Sequence, residues 1–352
     1  MESVDLAQPL ELEKFGSSDP EWLRLVRQSD DATAFHLPAW SSAVSGTYGF
    51  PSFVLGIRGV DGRLLAGLPV MEVRDLIGRP RLVSLPFTDH CPPLHGEDVN
   101  LAGLACSLVR WQSTGGLPGL EVRAALPSVE GTLTQTVGTR HLVGLEPDAD
   151  ALFRRLHRNR IQKRIRRARE FGVEVTLSRS TADLATFYQL HCATRRRQGV
   201  PVQPRRFIRN IGEKVIETGH GFVILARIRD KPIATALYLA WNRHLIYKYG
   251  ASDSAFWKLG ANFLVHWTAM EWGCLNGYRT YDFGRTDAGH ESLREFKAAW
   301  GSNEVALLHN YIGGAGGSSG RGRASEILKH VIRHSPALFG RAVGEVLYRY
   351  AA

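Results

Sequence analysis

The chain of 352 residues is poor in sulfur: it has four cysteines, Cys91, Cys106, Cys192 and Cys274, and three methionines. The cysteines are scattered, with no CxxC and no Cys/His ligand spacing. They read as reduced thiols rather than a disulfide framework, and no metal site is expected. No apolar run approaches the length of a membrane span. The first residues, MESVDLAQPLELEKF, lack the basic start and apolar middle of a secretory signal, so a cytoplasmic location is expected. Low hydrophobicity is also missing. At 44% hydrophobic and 22% charged residues the composition excludes a disordered chain, and the length points to two domains.

What the chain does have is basic charge, unevenly placed. The formal net charge is +10. Between Ala151 and Glu170 stand nine Lys or Arg residues against one acid, so most of the excess sits in one short stretch. Its i,i+4 pairs Arg160/Arg164 and Lys163/Arg167 repel each other on a helix, a cost that a phosphate partner would offset. Arg160 and Arg166 are therefore candidates to hold a phosphate of an acceptor or of RNA. A solvated cationic face is the plain alternative. Leu152, Leu156, Ile165 and Ala168 do not share one helical stripe, which predicts a phase break near Asn159.

Both halves read as α/β (α+β). In the first, helical patterns around Trp22 and Trp40 precede strands at Ser52–Ile57 and Leu64–Val73, joined by the turn Asp61-Gly62. Arg81–Leu85, a helix over Leu101–Ser113, and strands at Leu120–Arg123 and Arg140–Gly144 follow. In the second half, the basic helix leads to a strand at Val173–Leu177 and helices over Asp183–Gln198 and Arg205–Thr218. Strands at Phe222–Ile228, Pro232–Trp241 and Leu245–Tyr249 complete the meander. The expected division is residues 1–147, 148–312, a flexible Gly/Ser linker at 313–323, and a basic helical tail at 324–352. Such a tail could dock on the body or lie on an anionic membrane at the inner face.

The densest segment runs from Ile246 to Gly301: strand, loop, helix, strand, polar loop, helix. That order places a ligand at strand ends and a helix N-terminus. Tyr249-Gly250-Ala251-Ser252, Tyr281-Asp282-Phe283-Gly284 and Phe296-Lys297 with Trp300-Gly301 resemble the C-terminal half of the Fem-type acyltransferases within the GNAT N-acyltransferase superfamily. Arg158-Asn159-Arg160 with Ile165-Arg166-Arg167-Ala168 resembles that family's basic helix, and Phe87-Thr88-Asp89 with Pro92-Pro93-Leu94 an element of its first half.

The resemblance implies two tandem GNAT-like domains, each a mixed, mostly antiparallel sheet flanked by helices. A long coiled-coil arm, present in some members, is not seen in this sequence. It also implies transfer of an aminoacyl group from aminoacyl-tRNA to an amine of a phosphorylated or lipid-linked peptidoglycan precursor, with no bound cofactor. Lys297 matches the family's Phe-Lys pair and is the candidate to stabilise the oxyanion. Asp89 could orient or deprotonate the acceptor amine, or simply cap its turn. Tyr249, Ser252, Arg285, Asp287, His290 and Phe296 are candidate substrate contacts. Asp282 is expected to organise the site, with Arg285 as its ion-pair partner. Two other readings stand beside this one. In the first, acetyl-CoA or another acyl-CoA is the donor of an N-acyltransferase of polysaccharide or secondary-metabolite assembly, although Lys258-Leu259-Gly260-Ala261-Asn262 holds only part of a coenzyme A loop. In the second, the scaffold binds RNA or a membrane surface without catalysis. The sequence leaves the oligomeric state open.

Overall fold

The computed structural model describes residues 11–75, 77–97, 99–314, 332, 344–345 and 348–351. Most of the expected linker and tail thus lies outside the described residues. The chain forms two compact units. Among the described residues, the first comprises those within 11–138 together with 306–314; the second comprises 139–305 with 332, 344–345 and 348–351.

In the first unit, β1 (Glu13–Phe15) is followed by α1 (Pro20–Gln28), α2 (Pro38–Tyr48), β2 (Ser52–Arg58) and β3 (Leu64–Arg74). Asp19 caps α1 through its carboxylate, which accepts from the amides of Glu21 and Trp22. Then come β4 (Pro80–Val83), β5 (Leu94–His95), α3 (Leu101–Thr114), β6 (Leu120–Val122) and β7 (Thr132–Gly144), which runs on into the second unit. β2 and β3 form the hairpin expected at Asp61-Gly62, β4 and β6 pair in parallel, and β6 pairs antiparallel with residues 310–312 of the last strand. The core lies between this sheet and α3, with Leu55, Leu68, Val70, Leu104, Leu108 and Val122 all buried. Each such side chain contributes about 1.5–3 kcal/mol by leaving water.

The second unit opens with α4 (Ala149–Arg155) and α5 (Lys163–Glu170). The phase break expected near Asn159 has a definite form. Leu156 is extended, His157 caps the next turn by accepting from the Arg160 amide, and residues 158–162 make one wide π-type turn. The Gln162 side chain is buried and donates to the carbonyls of Arg154 and Leu156, which the break would otherwise leave without partners. The turn restores Leu152, Leu156, Ile161, Ile165 and Ala168 to one buried face.

β8 (Glu174–Ser178), α6 (Thr181–Gln198), α7 (Arg205–Ile211), β9 (Gly221–Ile228), β10 (Lys231–Trp241) and β11 (His244–Ser252) follow. The unit is completed by α8 (Ala261–Leu275), β12 (Thr280–Thr286), α9 (Glu291–Ala298) and β13 (Asn303–Ile312), whose second half belongs to the first unit. The strand order within this unit is β7-β12-β11-β10-β9-β8. All neighbours are antiparallel except β11 and β12, and α8 is the crossover between those two. α8 is apolar all round because it is buried between the sheet and α5. Among the described residues no helix is long and apolar enough to cross a membrane. Of the expected tail, Tyr348 accepts a hydrogen bond from Gln203 Nε2 at 2.7 Å, and Glu345 accepts one from the Arg205 amide.

Candidate active site

β11 and β12 run side by side only from His244/Thr280 to Ile246/Asp282. β11 then continues to Ser252 paired with β10 but no longer with β12, and the space so opened is a cavity of about 420 Å³ within the second unit. Its walls are residues 233–236 of β10, Tyr247 and residues 250–253 of β11, the first turns of α8, Phe296 of α9, and Thr194, Arg197 and Gln198 at the end of α6.

The local sequence explains this shape. Small residues, Ala234, Ala236, Gly250 and Ala251, keep the strands' cavity side open. Gly250 has no alternative, because a Cβ there would collide with the Tyr247 hydroxyl. Asp253 ends the strand and caps the short 3₁₀ turn Ser254–Leu259, accepting from the Ala255 amide at 3.0 Å. Gly260, at φ +75°, turns the chain into α8, and a Cβ there would sit 3.0 Å from the Arg164 carbonyl. The start of α8 is thereby packed directly on the basic helix.

Ser252 is fixed on three sides. Its Oγ accepts from Trp257 Nε1 at 2.9 Å, its amide donates to Thr194 Oγ1 at 3.0 Å, and its carbonyl accepts from an Arg197 guanidinium nitrogen at 2.9 Å. The Arg197 guanidinium also lies over the Trp257 ring, 4.9 Å from its centroid. Deeper in, His266 of α8 lies among Tyr247, Phe283, Phe296 and Trp300, with the Tyr247 ring 4.7 Å away. Its Nδ1 is 2.6 Å from the Tyr281 hydroxyl, which donates to the Tyr238 hydroxyl at 3.3 Å. Burial, reinforced by the nearby charge of Lys297, lowers the His266 pKa to about 3, so the imidazole is neutral at physiological pH. Burial pushes the Tyr247 phenol up to about 12.

Residues 155–297 match the family described as acetyltransferase (GNAT) domain. The fold is that of FemX, with a TM-score of 0.68 at 15% identity over 85% of this chain and 97% of that one. L-PGS from Bacillus licheniformis is also similar, with a TM-score of 0.56 at 12% identity over 91% of this chain and 99% of that one. The C-terminal domain of a putative lysylphosphatidylglycerol synthetase from Agrobacterium fabrum gives 0.54 at 12% identity over 92% and 95%. No curated protein matches the sequence significantly. The chain is an acyltransferase with a GNAT domain over residues 155–297 and the fold of FemX.

In this acyltransferase, two of the residues singled out in the sequence, Ser252 and Phe296, line the cavity. Tyr249 does not; its ring leans on buried His191 of α6. Lys297, the next residue after Phe296, is buried and donates to the carbonyls of Gly284 and Arg285 at 2.8 and 3.1 Å. It ties α9 to the last residues of β12. Arg285 and Asp287 pair with each other at 2.5 Å, and His290 is exposed at the start of α9.

The expected Asp282–Arg285 ion pair does not form. A register shift between Asp282 and Arg285 separates them, and the neighbouring strand β7 supplies Arg140 instead, bound through Nη2 and Nε at 2.7 and 3.1 Å. Asp282 also accepts from the Gly284 amide at 2.7 Å, within the same irregular end of β12 that Lys297 holds. Asp89 belongs to the first unit, where its carbonyl accepts from His309 Nε2 at 3.1 Å. Leu85 and Phe87, just before it, have positive φ of 59° and 62°, a costly conformation for side-chain-bearing residues.

Arg160 and Arg166 are exposed on the basic stretch. Arg160 meets Glu295 at 3.6 Å, and Arg166 donates to Gln162 while lying over the Phe153 ring. Among the described residues no carboxylate pairs with Arg158, Lys163, Arg164, Arg166, Arg167 or Arg169. Arg160 and Arg164 line a groove of about 340 Å³ whose wall includes Phe263 and Phe296, both of which also line the main cavity. Sequence reasoning missed Tyr247, Arg140 and His266. The imidazole in the apolar run Phe263–Met270 was the one visible signal.

Proposed function

We propose that this acyltransferase transfers an aminoacyl group from aminoacyl-tRNA to an amine of a phosphorylated or lipid-linked peptidoglycan precursor. One observation carries the reading: the acyl-sized cavity and the basic groove share the walls Phe263 and Phe296, so a polyanionic carrier on Arg160 and Arg164 sits beside the reacting group. The names of the similar structures, FemX and lysylphosphatidylglycerol synthetase, agree with aminoacyl transfer.

The reaction joins the acceptor nitrogen to the ester carbonyl carbon. The ester carbon–oxygen bond then breaks, the amine gives up one proton, and the released ribose oxygen takes up a proton to become the hydroxyl. The first turn of α8 faces the cavity with its positive dipole end, where a developing oxyanion or a phosphate is stabilised. Lys297 acts through the end of β12 that it holds at Gly284 and Arg285, adding positive charge next to the cavity. The test is a survey with purified protein, tRNA charged in turn with each radiolabelled amino acid, and nucleotide- or lipid-linked muropeptides as acceptors. The expected result is labelled muropeptide with one or a few amino acids. Label that stays on tRNA in every case contradicts the proposal.

A further inference from the structure

Of the eight tryptophans, Trp257 alone is exposed, with a relative exposure of 55%. It stands on the 3₁₀ turn Ser254–Leu259 and lines the cavity. The ring is held in place: its Nε1–H donates to Ser252 Oγ at 2.9 Å, and the Arg197 guanidinium lies over it at 4.9 Å from the centroid. More than half of the indole is nevertheless left to water, so the fold gains little by keeping it there. Its surroundings are cationic. Lys258 is exposed beside it, and Lys231 lies over the neighbouring Phe256 ring at 4.5 Å. Among the described residues neither Arg197 nor Lys258 makes an ion pair. The turn itself packs on the basic helix α5. A fixed aromatic ring among cations, between a basic helix and a cavity, is suited to single-stranded nucleic acid: a base stacks on the ring and the cations meet phosphates. A membrane surface calls for several apolar side chains projecting together, and Trp257 is the one exposed large apolar side chain of this turn.

Resting on the donor class proposed above, we infer that Trp257 is the stacking platform for the terminal adenosine of the charged tRNA, with Arg197 backing the ring. The ribose that carries the aminoacyl ester also carries this base. An acyl group inside the cavity therefore leaves the base at the cavity's edge, where Trp257 stands. The ester is then held from both sides, by the acyl group in the cavity and by the base on the indole, which orients its carbonyl for attack. Stacking is tolerant of sequence, and the terminal nucleoside is common to all charged tRNAs, so the platform places the donor without selecting the amino acid.

The test measures equilibrium binding of two uncharged RNAs: the tRNA whose charged form the wild type uses in the survey, and the same tRNA with its terminal adenosine removed. The readout is the ratio of the two Kd values for each protein, which a loss of folded protein does not move. The wild type is expected to bind the intact tRNA tighter by about 5- to 100-fold. Trp257→Leu is expected to bring the ratio to within about threefold of one. Trp257→Phe, which keeps an aromatic face but cannot donate to Ser252, is expected to keep most of the wild-type ratio. A wild-type ratio near one overturns the assignment without any variant. Binding to phosphatidylglycerol vesicles that Trp257→Leu abolishes, together with such a ratio, would make the indole a membrane contact instead. A ratio that survives in Trp257→Leu also overturns the assignment, as does its equal loss in both variants, since the ring would then act only through its hydrogen bond to Ser252. Transfer in the survey with a wild-type ratio near one removes the role of Trp257 alone. A survey with no transfer from any charged tRNA overturns the donor reading and this assignment with it.

Discussion

At the scale of single residues, two buried ionic clusters stand out, one in each unit. Arg140 and Asp282 have side-chain exposures of 14% and 9%, and their pair fixes the strand that leads into the polar loop. Arg140→Ala leaves a buried carboxylate unpaired, and denaturant unfolding is expected to show a loss of about 3–5 kcal/mol. The sequence shows that Asp282 needs a partner, and Arg285 is the nearest arginine along the chain. The true partner lies 142 positions away, and only the pairing of β7 with β12 brings it close.

In the first unit, burial pushes the Glu121 carboxyl up, but Arg123, His309 and Arg81 together outweigh it and hold its pKa at about 2. A carboxyl so lowered stabilises the fold above its ordinary value of 4.5, and that contribution is lost as pH falls toward 2. It amounts to roughly 3 kcal/mol. Glu121→Gln is therefore expected to melt well below the wild type at neutral pH, with the gap narrowing as pH falls from 4.5 toward 2. A gap independent of pH would contradict this.

At the scale of elements, the turn at Gly260 joins the cavity to the basic helix. Gly260→Ala forces a side chain into a left-handed conformation against the Arg164 carbonyl, at a cost of about 1–2 kcal/mol read from thermal or urea unfolding. Replacing Arg164, Arg166 and Arg167 with Gln is expected to leave the melting temperature nearly unchanged, because these side chains are exposed and have no carboxylate partner among the described residues. Binding of tRNA should weaken, and the slope of its salt dependence should flatten by about 0.7 for each phosphate that the variant no longer neutralises.

Elements with a clear period are legible in the sequence: the β2–β3 hairpin, α6, β9 to β11 and the interruption of the basic helix. β13 is not, and β7 is legible only from Arg140 onward. In β13 the first residues, 303–306, are exposed and the later ones bury His309 and Asn310, so no apolar alternation announces it. Those polar residues are accommodated by distant partners: Asn310 accepts from the Leu126 amide, and His309 Nδ1 lies 3.5 Å from Glu121. Neither interaction can be read from a local pattern. β7 begins with mostly exposed residues for the same reason.

At the scale of the whole molecule, an ordered series of short motifs points to the fold, and the cavity is the place proposed for the chemistry. The motifs Tyr249–Ser252 and Phe296–Lys297 fall in the segment that lines the cavity without showing which side chains face inward. Ser252 and Phe296 do, while Tyr249 and Lys297 turn away to support α6 and the end of β12. The central claim is that the acyl donor is carried on RNA. It is tested most directly by following label from charged tRNA into a muropeptide amine, with and without prior ribonuclease treatment, and with labelled acetyl-CoA in parallel. The account predicts transfer from charged tRNA that ribonuclease abolishes and no transfer from acetyl-CoA. Transfer from acetyl-CoA, with charged tRNA inert, would contradict it.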